Sequence, residues 1–145
     1  MRNKSFAALG TLALLAAASA FGQQRVGVDI PFEFGLGNKV MPAGHYDVTQ
    51  TSGLVLVRCY TRGVAAFAQA NNLGGGTNEI SQSRLIFNKY GDKYFLAEVW
   101  VSPRTAYGAG LSKSKTEREI ARTGPDVARV TVPVRTGAVT LASLR

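Results

Sequence analysis

The chain has 145 residues, of which 17 are Lys or Arg and 9 are Asp or Glu, so its formal charge at pH 7 is +8. Its single cysteine, Cys59, excludes an intramolecular disulfide framework. The length suits one domain with its own hydrophobic core, and no shift in composition divides the chain in two.

Residues 1–20 have the three parts of a secretory signal peptide. Arg2 and Lys4 form a basic start, an apolar run follows over residues 6–18, and Ala18-Ser19-Ala20 supplies the small residues of a cleavage site. The apolar run is short for a membrane span, which needs about 20 residues. We therefore predict cleavage after Ala20, a single β domain over residues 21–145 and a location in the periplasm or outside the cell.

Export also limits the partners that a basic chain can meet. Without Arg2 and Lys4, the chain keeps 15 basic and 9 acidic residues. In the cytosol such an excess would suggest nucleic acid, but an exported protein meets anionic envelope lipid or acidic glycan instead. The excess is also explained by solubility alone, and the sequence leaves both explanations open.

Residues 26–48 predict a β-hairpin. Apolar residues occupy every second position of the first arm: Val26, Val28, Ile30, Phe32 and Phe34. This period of two is typical of a half-buried strand. The same alternation resumes at Val40, Tyr46 and Val48, beyond a Pro42-Ala43-Gly44 corner that bends the second arm. Pro31 indicates an edge or a bulge in the first arm, because proline cannot donate to a strand ladder.

Two segments carry a resemblance. The pattern over residues 30–48, Ile-Pro-Phe-x-Phe followed by Gly-x-Lys and Pro-Ala-Gly-x-Tyr-x-Val, and the later Ser114-Lys115-Thr116-Glu117-Arg118-Glu119 are similar to a group of uncharacterised small exported proteins, mostly acidobacterial. The resemblance implies an exported β-rich domain. It implies no activity, cofactor or catalytic residue.

Four more strands are expected in the middle of the chain. Residues 54–60 and 64–70 are joined by a Thr61-Arg62-Gly63 turn, and because both of their faces are largely apolar we expect them to be covered on both sides. Residues 84–89 and 93–101 form a hairpin around Tyr90-Gly91-Asp92. In the second of these strands, Tyr94 and Trp100 are expected to share a face. They would form either an aromatic platform for a sugar ring or ordinary cross-strand packing.

One helix is expected late in the chain. Ser114 and Glu117 have the spacing of a capping box, and Gly124-Pro125 marks the end. Few apolar residues lie between these signals, so the helix belongs on the surface. Four basic residues form its possible anion-binding patch: Lys113, Lys115, Arg118 and Arg122.

The last part of the chain returns to strand chemistry. Val130, Val132 and Val134 alternate with polar residues and with Pro133, which favours an edge position. After Thr136-Gly137, the run over residues 138–144 has the composition to pair back.

Together these elements predict a mainly antiparallel all-β fold, a β-sandwich or a small open barrel of about eight strands with one short late helix. The first functional hypothesis is a non-enzymatic envelope or extracellular protein of structural or binding character. The second is a carrier of a small apolar ligand, and the third, least supported, is a hydrolase with His45 as its base. No GxSxG, HExxH or paired-carboxylate motif occurs, and we assign no catalytic, cofactor or metal residue. We interpret His45 and Asp47 as a surface pair and Cys59 as a buried thiol.

Overall fold

The computed structural model describes residues 24–51, 53–74, 82–101 and 108–134, which form ten strands and one helix. The strands are β1 (Gln24–Ile30), β2 (Phe34–Leu36), β3 (Lys39–Met41), β4 (Gly44–Thr51), β5 (Leu54–Cys59), β6 (Val64–Leu73), β7 (Arg84–Tyr90), β8 (Lys93–Trp100), β9 (Gly108–Leu111) and β10 (Val127–Pro133). The helix, α1, is Lys115–Thr123. The predicted signal peptide and the predicted strand at residues 138–144 lie outside the described residues.

The strands form one bent sheet in the order β10-β7-β8-β9-β6-β5-β4-β1, with β2 and β3 branching from β8. Every pairing is antiparallel except that of β2 with β8. Strand β6 lies in the middle of this order, since its first part pairs with β5 and its last part with β9. We call β1, β4 and β5 the first half and β2, β3 and β7 to β10 the second half. The predicted mainly β architecture is confirmed, and the ten described strands do not close into a barrel.

The first predicted hairpin is present, and both of its arms are bent. Val26 pairs with Val48 and Ile30 with Gly44, after which the chain leaves the ladder at Pro31 and resumes pairing between Phe34 and Met41. A proline stands near each break, at 31 and at 42, and neither can donate a ladder hydrogen bond. The hairpin is therefore divided between the two halves, with β1 and β4 in the first and β2 and β3 in the second.

The core lies between the two halves. Three fully buried rings meet there: Phe34 packs edge-on against Tyr46, with ring centroids 5.3 Å apart, and against Phe87, 5.4 Å apart. The alternation read from the sequence places these and the neighbouring aliphatic side chains correctly, because Val28, Ile30 and Val48 are also buried in the same cluster. The interior is thus filled by large side chains.

Two expectations about the strand faces are wrong. The outer face of β5 and β6 is not covered: Phe67 is 70% exposed, and Leu54, on the neighbouring strand, is also exposed. In β8 the ladder to β7 shifts register at Ile86/Phe87, so that Ala97 is an extra residue. Such a bulge reverses the side-chain faces on one side of it relative to the other, so the common face expected for Tyr94 and Trp100 is lost.

Strand β9 is not among the strands that the sequence patterns predict. Its sequence, Gly-Ala-Gly-Leu, has little side-chain signal for a strand. Its glycines are explained by close packing: a Cβ at Gly108 would lie 2.6 Å from the Trp100 ring. The strand bridges β6 and β8 through its backbone.

A glycine in β2 generates the first prediction. A Cβ at Gly35 would lie 2.6 Å from Cδ1 of Phe95, a buried ring. Gly35→Ala should therefore lower the free energy of unfolding by about 1–3 kcal/mol, as overpacking does. Gly44→Ala is the matched control, because its Cβ would meet Cys59 Sγ at 3.6 Å, an ordinary contact. Equal urea midpoints for the two variants would contradict the close approach of β2 to β8.

Tyr46 generates a pH-dependent prediction. Burial raises the pKa of this phenol, and Cys59 raises it further. Its contribution to stability is fully present below the ordinary tyrosine pKa, near 10, and is lost as pH rises through the folded-state pKa. The hydroxyl donates to the Pro42 carbonyl.

Tyr46→Phe should lower the free energy of unfolding at pH 7 by about 1 kcal/mol, the usual worth of one hydrogen bond. Above pH 10, however, its stability should fall less steeply than that of the parent chain. Urea unfolding between pH 7 and pH 11 measures both effects, and an alkaline limb as steep as that of the parent would contradict the assignment.

Candidate functional site: the surface of helix α1

Helix α1 is held on the outer face of the second half by a buried carboxylate. Glu117 is only 3% exposed, and its Oε1 accepts hydrogen bonds from Asn88 Nδ2 at 2.9 Å and from the Tyr90 hydroxyl at 3.2 Å. Ser114 is the N-cap, as predicted, and its Oγ accepts from the Glu117 backbone N–H at 3.1 Å. The Glu117 side chain, however, is used to attach the helix to β7.

The pKa of Tyr90 is shifted in the direction that lets it donate to this carboxylate. Burial raises the pKa of Tyr90 and the negative Glu117 raises it further, while nearby Lys113 acts in the opposite direction. The phenol therefore stays protonated and serves as a hydrogen-bond donor at neutral pH. Helix α1 needs these polar contacts, since Ile120 is its one large apolar side chain and is only half-buried.

The structure brings the four predicted cations together. Lys115, Arg118 and Arg122 repeat at helical spacing on the side of α1 opposite Glu117, and Lys113 lies just before the helix. All four are exposed and line one shallow depression of about 520 Å³, together with Glu119 and Ala121. We call Lys113, Lys115, Arg118 and Arg122 the basic patch. Among the described residues, Lys115, Arg118 and Arg122 form no ion pair.

Tyr94 and Trp100 do not form a common platform. Tyr94 lies on the core side and stacks on Phe32, with ring centroids 3.8 Å apart. Trp100 lies on the opposite side, beneath Arg84, and is only 7% exposed. The bulge at Ala97 accounts for the separation, because the spacing of six residues preserves a common face only in an uninterrupted strand.

The structure separates His45, the base of the hydrolase hypothesis, from the thiol of Cys59. His45 lies on the exposed outer face of β4, where its Nδ1 is 2.7 Å from Asp29 Oδ1. Asp47 pairs with Arg25 across the same face instead of with His45. Cys59 is fully buried on the core face of β5. A thiol and an imidazole on opposite faces of neighbouring strands cannot act as a nucleophile and its base.

A second surface feature is a groove between the two ends of the sheet. Residues 27–29 with Pro31, Phe32 and His45 line one side and residues 130–133 line the other, around a volume of about 570 Å³. Consecutive residues of a strand point to opposite faces, so a surface lined by four consecutive residues is the strand's edge. We call this space the edge groove. It was not predicted, since its sides are about a hundred residues apart in sequence.

Comparison of the chain with family models and curated proteins, and of its fold with solved structures, finds no match. In the described ranges, no helix is long and apolar enough to cross a membrane. Over the same residues, no group of three or more His, Cys, Asp or Glu side chains is arranged to hold a metal ion. The basic patch is therefore interpreted from its own geometry.

The anchoring of α1 is tested by removing its carboxylate. Glu117→Ala would leave Asn88 and Tyr90 without their shared acceptor, which costs about 1–3 kcal/mol when such groups stay buried. Glu119→Ala, two residues along the same helix but exposed, should change stability by less than about 0.5 kcal/mol. Chemical unfolding of both variants measures the difference. Equal stabilities would show that the Glu117 contacts do not hold the helix.

Proposed function

We propose that this chain is an exported, non-enzymatic envelope or extracellular protein that binds anionic surfaces through the basic patch. The observation that carries the proposal is that four exposed cations line one depression at α1, where Glu119 is the single acidic residue among the described residues that line it. Export itself is inferred from residues 1–20, and it selects envelope lipid as the most available anionic surface.

The packing of the interior supports a surface function over a carrier function. A carrier needs a cavity that encloses most of its ligand. Here the space between the halves is filled by fully buried rings and aliphatic side chains, the largest of which are Tyr46, Phe34 and Phe87. The depression lined by the basic patch and the edge groove are instead open to solvent.

The expected binding is weak and depends on salt. A lysine or arginine near an anionic membrane contributes about 1 kcal/mol. Four such cations opposed by one carboxylate therefore supply on the order of 3 kcal/mol. The attraction acts through water over about 8 Å at physiological ionic strength and about 30 Å at 0.01 M salt. Lowering the salt should therefore strengthen this binding, whereas binding through apolar contacts would not be strengthened in this way.

The test is cosedimentation of the purified protein with vesicles at about 10 mM salt, where screening is weakest. Binding to vesicles of anionic phosphatidylglycerol and none to zwitterionic phosphatidylcholine is expected. Lys115→Glu combined with Arg118→Glu should abolish it. Arg58→Glu combined with Arg62→Glu changes the charge equally at exposed positions near the β5–β6 turn, and this control should retain most of the binding.

Three results would count against the proposal. Absence of sedimentation at low salt would reject the lipid surface, and an acidic polysaccharide retained by the parent chain would then identify glycan as the anion. Equal losses in the two double variants would mean that net charge, and not the basic patch, causes binding. Binding unaffected by both would move the site away from the basic patch and from the β5–β6 turn.

A further inference from the structure

Two exposed apolar side chains lie near the start of α1. Phe67 and Val40 are 70% and 69% exposed, the highest values among the large apolar side chains of the described residues. Single exposed apolar side chains are common on protein surfaces. These two differ because each lines a depression that includes the beginning of α1 or the residues just before it: Phe67 with Ser112 and Ser114, and Val40 with Thr116.

Residues 112–116 connect these two depressions to the basic patch. Lys113 and Lys115 alternate with the three hydroxyl residues of this segment and line the depression of the basic patch. Five residues span at most about 17 Å even when fully extended. Phe67, Val40 and the two lysines therefore belong to one region of the surface. We call Phe67 and Val40 the apolar pair.

The fold holds both members of the apolar pair on paired strands. The alanines before and after Phe67 on β6 pack in the core, so the alternation along the strand places Phe67 on the outer face. The β2–β3 hairpin is attached beside it, because Lys39 Nζ donates to the Ala65 carbonyl at 2.9 Å. Val40 follows Lys39 in β3 and pairs with β2. The positions of the two apolar side chains are therefore set by the strand ladders.

We propose that Phe67 and Val40 insert into the acyl boundary of the anionic bilayer whose headgroups the basic patch contacts. This inference rests on the proposed function and adds an apolar contact to it. A bilayer surface presents anionic headgroups directly above acyl chains, and proteins that lie on it combine cations with exposed apolar side chains. Lys113 and Lys115 near the apolar pair provide that combination.

The charge of the same region argues against other occupants. Two copies docked symmetrically through the apolar pair would bring Lys113 and Lys115 toward the same lysines of the second copy, and like charges across an interface are costly. An acidic polysaccharide would satisfy the cations, but it offers no acyl layer to bury Phe67. A lipid bilayer satisfies both the cations and the apolar pair.

The two kinds of contact respond differently to salt. The attraction between cations and headgroups is screened, and its range falls from about 30 Å at 0.01 M salt to about 8 Å at physiological ionic strength. Burial of apolar surface is not screened in this way. Phe67 should therefore matter most at physiological salt, where Phe67→Ser should raise the dissociation constant about tenfold, as expected for burial of part of a phenylalanine ring.

The test is cosedimentation with phosphatidylglycerol vesicles at about 10 mM and about 150 mM salt. Phe67→Ser and Val40→Ser should both bind more weakly than the parent chain. Val127→Ser is the matched control, because Val127 is also exposed but lies on β10, beyond the C-terminal end of α1. All three side chains are on the surface, so the urea unfolding midpoints should stay those of the parent chain.

A second variant reports insertion directly. Phe67→Trp places a fluorescent ring in the apolar pair, and bromine atoms on the acyl chains quench such a ring only on close approach. Quenching by brominated phosphatidylglycerol should be stronger in this variant than in the parent chain, whose one tryptophan, Trp100, is only 7% exposed.

The outcomes separate this inference from the proposed function. Weaker binding of Phe67→Ser together with quenching of Phe67→Trp supports insertion. If the parent chain sediments but Phe67→Ser binds equally well and Phe67→Trp is not quenched, insertion is overturned and the basic patch acts alone. Absence of sedimentation at both salt concentrations would overturn insertion and the proposed function together. A dimer of the parent chain that Phe67→Ser dissociates would overturn insertion and assign the apolar pair to a second copy.

Discussion

The contact of Phe34 with both Tyr46 and Phe87 is the interaction on which the rest of the structure depends. Tyr46 belongs to the first half of the sheet, whereas Phe34 and Phe87 belong to the second, so these three rings join the two halves. Each edge-to-face pair adds about 0.5–1.5 kcal/mol to the free energy of burial. Phe34 reaches this position only because the hairpin breaks at Pro31 and turns β2 onto β8. The bend that fills the core also curls the sheet, and the curl brings β1 beside β10 to form the edge groove.

Much of this fold could be predicted from local patterns, and the failures have specific causes. Alternation of apolar residues identified β1, β4, β5, β7 and β10, and the spacing of Ser114 and Glu117 located the start of α1. The faces of β8 were wrong because one extra residue, Ala97, changes the direction of every side chain on one side of it, and no composition signal marks it. Strand β9 was missed because its glycines pair through the backbone and leave room for Trp100, a requirement that exists only in the folded chain.

The candidate site, too, could be predicted in part from local pattern, while the rest depends on contacts made in the folded chain. The basic patch could be predicted because helical spacing fixes which residues share a side of α1, whatever lies beneath the helix. The attachment of the helix could not be predicted, because a glutamate is normally expected on the surface. Glu117 is buried here because Asn88 and Tyr90 donate hydrogen bonds to it. That attachment has a consequence for binding: α1 has little apolar area, so the orientation of its cations depends on hydrogen bonds to β7. A polar anchor beneath the helix thus leaves its outer side free for charge.

The two ends of the sheet present the usual problem of a curled but open β structure, namely an edge that invites pairing between molecules. Charged side chains on β1, such as Arg25 and Asp29, lie on its outer face and do not block its backbone. At the end of β10, Val134 donates to the Ser83 carbonyl beside β7, so by alternation Arg129, Thr131 and Pro133 point to the groove side, where Pro133 has no N–H to offer. The proline therefore shortens the run of backbone donors on this side of β10, while Val130 and Val132 stay beside the groove.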